Sequence, residues 1–449
     1  MKNVLKLLIT AIATLLIITG CGTTPKEETS ATASAEATQA TTQPVEILFW
    51  HSMSGRNQEK LTKIVDDFNA SQTKYKVVAE NQGKYDESTS KFFNMNGGTG
   101  SPAIIQIGEQ NLQSMIDSGL VASITELNKE YKYDESQLLP QVMNFYTVDN
   151  TLYAMPFNAS SPVLYYNVEA LKKAGIEKAP ETFEDIIEYG PKITKANEKM
   201  RAFSKPVYGY ALDQMVTNMG GYTVNNENGR KERATEVAYQ EQILTIFTFL
   251  SDLIKQDQFV NYGTSFDNVK AGFNNGDIAM YITTSAQAAG IIDEAPFEVG
   301  IAPLPLPKGV ERQGVYAGGG ALCVSKNIDK TIAEGVMEFL KYGTSAEVQA
   351  VWAGETGYFP INKNSYETQT MKDIYAKKPQ LKVAADQLLN SKVNGVTAGP
   401  LLSLLPQLRN DLQVAEETVF NGGDPKKAMD EAVVNTNKAI ETANKSVKK

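Results

Sequence analysis

One histidine and two cysteines are all that the 449 residues offer for imidazole or thiol chemistry: His51, Cys21 and Cys323. A Ser–His–Asp triad would need His51 as base beside an activated serine, and no Gly-x-Ser-x-Gly elbow occurs. A zinc site needs several His or Cys ligands, more than this inventory supplies. No Walker A run and no Gly-x-Gly-x-x-Gly loop is present, and Gly97-Gly98-Thr99-Gly100 reads as a surface turn. Two carboxylates suffice for glycoside hydrolysis, but with 52 acidic residues spread along the chain, spacing selects no pair. The expectation is binding rather than turnover: no catalytic residue, no metal and no cofactor. His51 reads as a strand-end residue held by hydrogen bonds, and Cys323, inside Ala321-Leu322-Cys323-Val324, as a small core residue.

The elements around these residues alternate between short apolar strands and helices. Val45 to Trp50, Tyr75 to Val78 and Ala103 to Ile107 read as strands. Between the first two, Leu61, Ile64, Val65 and Phe68 recur at helical spacing. That pattern predicts an α/β lobe with a mostly parallel sheet. A second lobe starts after Pro156, with a strand over Pro162 to Tyr166 and a helix opened by Thr182 as N-cap, with Asp185 three residues on. Further strands are predicted over Ile278 to Ile282 and Ala321 to Ser325, and helix from about Leu401 onward. About 400 folded residues exceed what one core normally holds, so two lobes are expected.

The N-terminus carries its own chemistry. Lys2 and Lys6 precede the apolar run from Leu7 to Ile18, which is too short for a comfortable membrane span and reads as a secretory signal over 1–20. Ile18-Thr19-Gly20-Cys21 resembles a bacterial lipobox, which implies lipidation at Cys21 and anchoring on the outer face of the cytoplasmic membrane. Residues 21–44, rich in Thr, Ser, Ala, Glu and Gln, have too little apolar surface to order and are expected to form a tether. A net charge of −9 and the lack of a basic stripe argue against a nucleic-acid partner. Twenty tyrosines against two tryptophans suit a cleft that holds a polar solute.

Several stretches carry a resemblance. They are Pro156-Phe157-Asn158-Ala159-Ser160-Ser161-Pro162-Val163-Leu164-Tyr165-Tyr166-Asn167, Thr356-Gly357-Tyr358-Phe359-Pro360-Ile361 and Pro406-Gln407-Leu408-Arg409, with Phe49-Trp50-His51-Ser52-Met53-Ser54-Gly55 and Asp134-Glu135-Ser136-Gln137 beside them. Together they resemble the sn-glycerol-3-phosphate-binding proteins of bacterial ABC importers, within the extracytoplasmic solute-binding proteins, over nearly all of the chain after the tether. The resemblance implies a two-lobed periplasmic-binding-protein-like fold of type II, with discontinuous lobes joined by hinge crossings. These would be an N-terminal lobe of 45–157 plus 303–353 and a C-terminal lobe of 158–302 plus 354–449. It also implies a monomer that delivers its solute to membrane permease subunits.

Site residues follow from the same resemblance. A cleft tyrosine maps to Tyr85, a strand-end acid to Glu109, a serine to Ser160, a hydroxyl residue to Thr284 or one position later to Ser285, a backbone amide to Gly319, and the closing tyrosine and arginine to Tyr358 and Arg409. Where the family carries a tryptophan, this chain has Phe183, which keeps a packing face but loses an N–H donor; residues 201–228 match the family poorly. The residue types fit a phosphate ester. Arg409 offers a planar fork for two oxygens, Tyr358 a hydroxyl, and Gly319 a closely approachable N–H. Glu109 would accept from glycerol hydroxyls and repel a reversed phosphate. If Arg409 reads a phosphate dianion, monoester affinity should weaken between about pH 7.5 and about 5.5. A receptor for a neutral sugar or oligosaccharide is the competing reading, and a carboxylate-dependent hydrolase a third.

Overall fold

The computed structural model describes residues 43–446. The signal segment, nearly all of the tether and the lipidation expected at Cys21 lie outside the described residues. Twelve strands are present among those described: β1 (Val45–His51), β2 (Tyr75–Asn81), β3 (Ile104–Gly108), β4 (Val121–Ala122), β5 (Thr147–Val148), β6 (Thr151–Leu152), β7 (Met155–Ser160), β8 (Pro162–Asn167), β9 (Arg201–Ser204), β10 (Ile278–Thr284), β11 (Val299–Ala302) and β12 (Gly318–Ser325).

They form two main sheets, each with helices packed on it. The first runs β2-β1-β3-β12-β4, with β7 also paired to β12; the second runs β11-β8-β10-β9. β1 lies parallel to β2 and β3, but β12 is antiparallel to β3, β4 and β7, and β8 is antiparallel to both β10 and β11. The parallel arrangement predicted from the strand–helix alternation therefore holds for only part of the first sheet. The cause is connectivity. β7 ends at Ser160 and β8 starts at Pro162, so Ser161 alone carries the chain from one sheet to the other. The chain returns between β11 and β12, and β12 enters the first sheet against its neighbours.

Local sequence explains most of the elements. Leu61, Ile64, Val65 and Phe68 are the buried face of the Gly55–Ser71 helix, as their spacing predicts. Thr182 and Asp185 cap the Phe183–Ala196 helix reciprocally: Asp185 N–H donates to Thr182 Oγ1 at 3.1 Å, and Thr182 N–H to Asp185 Oδ2 at 2.9 Å. The tail is helical over Leu405–Phe420 and Pro425–Ser446. Helix Gly209–Asn218 is buried at all ten positions and therefore shows no amphipathic period. His51, at the end of β1, accepts from Met53 N–H at 3.3 Å, and burial lowers its pKa, which keeps the ring neutral. Cys323 is fully buried in β12, and burial pushes its thiol up to about 12.

β12 opens on three glycines where the two sheets approach. Gly319 has φ +93°, and a Cβ there would stand 2.0 Å from the Asn158 carbonyl oxygen of β7. A Gly318 Cβ would meet the Tyr210 hydroxyl at 1.9 Å. Gly319→Ala should therefore lower unfolding free energy by about 2 kcal/mol or more in urea titrations; an unchanged midpoint would contradict the close approach.

Candidate functional site

The C-terminal ends of β3, β7 and β10 converge on one cavity of about 400 Å³. Strand ends with the turns that follow them are where open α/β sheets place ligands. Glu109 directly follows β3, Ser160 ends β7, Thr284 ends β10, and Gly319 comes from β12. Tyr85 opens the Tyr85–Met95 helix, Tyr358 follows the Ala346–Thr356 helix, and Arg409 sits in the first turns of Leu405–Phe420. All seven line the cavity. Thr284 and Ser285, the two alternatives for the hydroxyl residue, differ in position. Thr284 lines the cavity, whereas Ser285 is fully buried and its hydroxyl accepts from Ser161 N–H at 3.3 Å.

The hydroxyls at the cavity are held in different ways. Tyr85 Oη accepts from Asn158 Nδ2 at 3.0 Å, Asn158 in turn accepts from Gln106 at 2.9 Å, and the Tyr358 hydroxyl lies beside that of Tyr85. Thr284 Oγ1 accepts from Ala286 N–H at 3.2 Å, which leaves its O–H available. Ser160 lines the cavity although it is only 3 % exposed. Tyr358 stacks on Trp352 at 5.4 Å with a 7° interplanar angle; its hydroxyl stands 3.9 Å from Met53 Sδ and beside the side chains of Asn158, Asn57 and Tyr85. Burial raises the pKa of Tyr85 and Tyr358, so both stay protonated donors at neutral pH.

Arg409 is the centre of charge. Its Nε donates to Asp213 Oδ2 at 2.8 Å and its Nη2 to the Tyr316 hydroxyl at 3.0 Å; Tyr316 donates to the other Asp213 oxygen at 2.7 Å. The three side chains form a closed ring of hydrogen bonds. The Tyr210 ring lies 5.1 Å from the guanidinium carbon. Nη1 stands 2.7 Å from Glu109 Oε1, close as an ion pair but without the alignment of a hydrogen bond. Glu109 thus faces Arg409, a partner that its expected role as an acceptor for ligand hydroxyls did not include. Burial works against the charge on Arg409, but Asp213, Tyr316 and Glu109 hold its pKa well above the usual range. Burial pushes Asp213 the other way, from 3.8 to about 6, although Arg409 favours its charged form.

Sequence reasoning missed Asp213, Tyr316 and the cavity-lining residues Tyr208, Gly209 and Tyr210. Most come from the stretch that matches the family poorly, on a helix with no exposed face to reveal a pattern. Phe183 is corrected. It is 3 % exposed and stacks on Phe249 at 4.4 Å, deep in the core and away from the cavity lining, so the missing indole donor has no bearing on this cavity.

Residues 63–383 match the family model of bacterial extracellular solute-binding proteins. The sn-glycerol-3-phosphate-binding periplasmic protein of Yersinia pseudotuberculosis is 32% identical over 399 residues, covering 86% of this chain and 90% of that protein. Its Escherichia coli K12 counterpart is 31% identical over 414 residues, covering 90% and 94%. Among solved structures, UgpB from Mycobacterium tuberculosis in complex with glycerophosphocholine superposes with a TM-score of 0.75 at 19% identity, covering 90% of this chain and 99% of that one. The GacH receptor of Streptomyces glaucescens, solved unliganded and with acarbose, gives 0.73 at 20% identity over 89% and 99%.

The raised carboxyl of Asp213 has a measurable signature. It binds its proton more tightly folded than unfolded, so its contribution to stability falls as pH rises from about 4 to about 6. The stability of the native chain minus that of Asp213→Asn, from urea titrations, should decline across that window and stay flat above about pH 7. A difference independent of pH would contradict this environment for Asp213.

Proposed function

We propose that this chain, which belongs to the bacterial extracellular solute-binding protein family, captures a phosphate ester of glycerol between its two lobes and delivers it to an ABC import permease. The ligand is sn-glycerol 3-phosphate or a glycerophosphodiester. The observation that carries this reading is the buried Arg409, fixed by Asp213 and Tyr316 in a cavity that also presents hydroxyls from Tyr85, Ser160, Thr284 and Tyr358. A phosphate presents strong acceptor oxygens and a charge; this wall presents donors and a guanidinium. The names of the curated relatives point to the same solute. The protein acts as a monomeric receptor and not as an enzyme. Its lobes are 45–157 with 303–353 and 158–302 with 354–449, and Cys21 supplies its lipid anchor. A neutral sugar is the weaker reading, because it gives a buried charged arginine little to do.

Charge balance refines the choice of ester. Asp213 and Glu109 already place two carboxylates against the one guanidinium. A monoester dianion adds two negative charges to that cluster, whereas a diester adds one. The cavity therefore favours a monoanion, which reverses the pH trend expected from Arg409 considered alone.

Two outcomes follow. In calorimetric titrations of the mature protein, glycerophosphocholine or glycerol 3-phosphate should bind, and Arg409→Gln should weaken binding roughly 100-fold or more while changing weak binding of glycerol little. Absence of heat with both esters would sink the proposal. Affinity for glycerol 3-phosphate should rise as pH falls from about 7.5 to about 5.5, through the second phosphate pKa near 6, while diester affinity changes less. A monoester affinity that falls over the same range would show that the cluster prefers the dianion.

A further inference from the structure

Two buried ion pairs join the same two stretches of chain, with opposite polarity. Asp213, on the Gly209–Asn218 helix, holds Arg409 at 2.8 Å. Lys205, just ahead of that helix, pairs with Glu416, further along the Leu405–Phe420 helix. The Lys205 and Glu416 side chains are 1 % and 0 % exposed, and neither lines the cavity. Burial pushes the Lys205 pKa down and that of Glu416 up, and in each case the partner's charge works against the shift. Binding a solute at Arg409 makes no direct use of this second pair.

The two stretches meet in opposite chain directions. Glu416 Oε2 also accepts from Tyr208 N–H at 3.1 Å, at the N-cap of the helix that carries Asp213. Lys205 Nζ donates to the Pro206 carbonyl at 3.1 Å as well. Between the two pairs, Gly209 lies against Arg409: a Cβ on Gly209 would stand 2.6 Å from the Arg409 carbonyl oxygen and 2.7 Å from its Cβ. Arg409 and Glu416 are about two turns apart on one helix, so they share nearly the same face. Moving either stretch along the other separates both pairs. It also carries Lys205 toward Arg409, or Asp213 toward Glu416, like charge toward like where water cannot screen it.

We propose that Lys205 and Glu416 are positioning residues for Arg409: their ion pair fixes the register of the Leu405–Phe420 helix against the entry to the Gly209–Asn218 helix, and so sets where the guanidinium meets Asp213. The inference rests on the reading of Arg409 as the ligand's charge partner. It accounts for a buried ion pair where well-packed apolar side chains of similar volume would stabilise the fold at least as well. Fixing register is the best-attested use of such buried polar groups. The order of charges does the selecting, since only one alignment satisfies both pairs at once.

The test compares two variants of the mature chain. Lys205→Met/Glu416→Gln removes both charges and keeps an acceptor for Tyr208 N–H. Phe68→Leu, the control, loosens a remote part of the core, where Phe68 packs on Phe339. The Arg409 Nε–H signal, assigned in ¹⁵N spectra by its loss in Arg409→Gln, reports directly on the bond to Asp213. With every chain fully folded, its hydrogen exchange should speed up roughly tenfold or more in the double variant and stay near native in the control. The Kd for glycerophosphocholine should rise roughly tenfold in the double variant only. Should that variant not fold, Lys205→Met alone carries the comparison, because Glu416 can take up a proton and still accept from Tyr208 N–H. Native exchange in the folded pair variant, or an equal change in Phe68→Leu, would overturn the inference; so would failure of both pair variants to fold, which would make the pair a stability element. If the native chain releases no heat with glycerophosphocholine or glycerol 3-phosphate, the receptor reading fails, and the exchange comparison, which needs no ligand, still decides whether the pair positions Arg409.

Discussion

Everything at the cavity depends on keeping one guanidinium charged and still where water is scarce. Moving an arginine side chain into a protein interior costs several kcal/mol unless partners compensate. Here Asp213 and Tyr316 compensate it with three hydrogen bonds that close on themselves, and Tyr210 covers one face. The ring draws on three separate parts of the chain: the Gly209–Asn218 helix, the Leu405–Phe420 helix and the segment leading into β12. Removing any one member leaves a buried donor or acceptor without its partner, so the arrangement behaves as a unit.

The same guanidinium also touches Glu109, which belongs to the first sheet through β3. Arg409 therefore connects elements associated with both sheets. Ser161 is the single residue between β7 and β8, and its surroundings are tightly bonded: its N–H reaches Ser285 and its hydroxyl accepts from Gln387 at 2.9 Å. The joint between the sheets is thus well defined at the backbone, while the contact across the cavity is electrostatic. A ligand that supplies acceptors to Arg409 changes the balance of the second without disturbing the first.

Much of this was legible in the sequence, for reasons that differ from residue to residue. Half-buried elements show their period, so the Gly55–Ser71 helix and its four apolar contacts could be read directly. Motif resemblance put Tyr85, Glu109, Ser160, Thr284, Gly319, Tyr358 and Arg409 on one list, and the fold brings all seven to one cavity. Strand direction was not legible, because it is set by where the chain crosses between sheets and not by local pattern. Asp213 was invisible for another reason: a helix buried on every side has no polar face, and a buried aspartate looks in sequence like any surface acid. Phe183 misled because the tryptophan expected at its position drew attention to a cavity whose lining does not include it; it stacks on Phe249 instead.

The most direct test of the central claim is a crystal structure of the mature protein grown with glycerophosphocholine. Phosphate oxygens within hydrogen-bonding distance of the Arg409 guanidinium, about 2.7–3.0 Å, with Asp213 and Tyr316 still holding its other edge, are the expected result. A ligand seated elsewhere, with Arg409 enclosed by its two carboxylates and no phosphate beside it, would contradict the account.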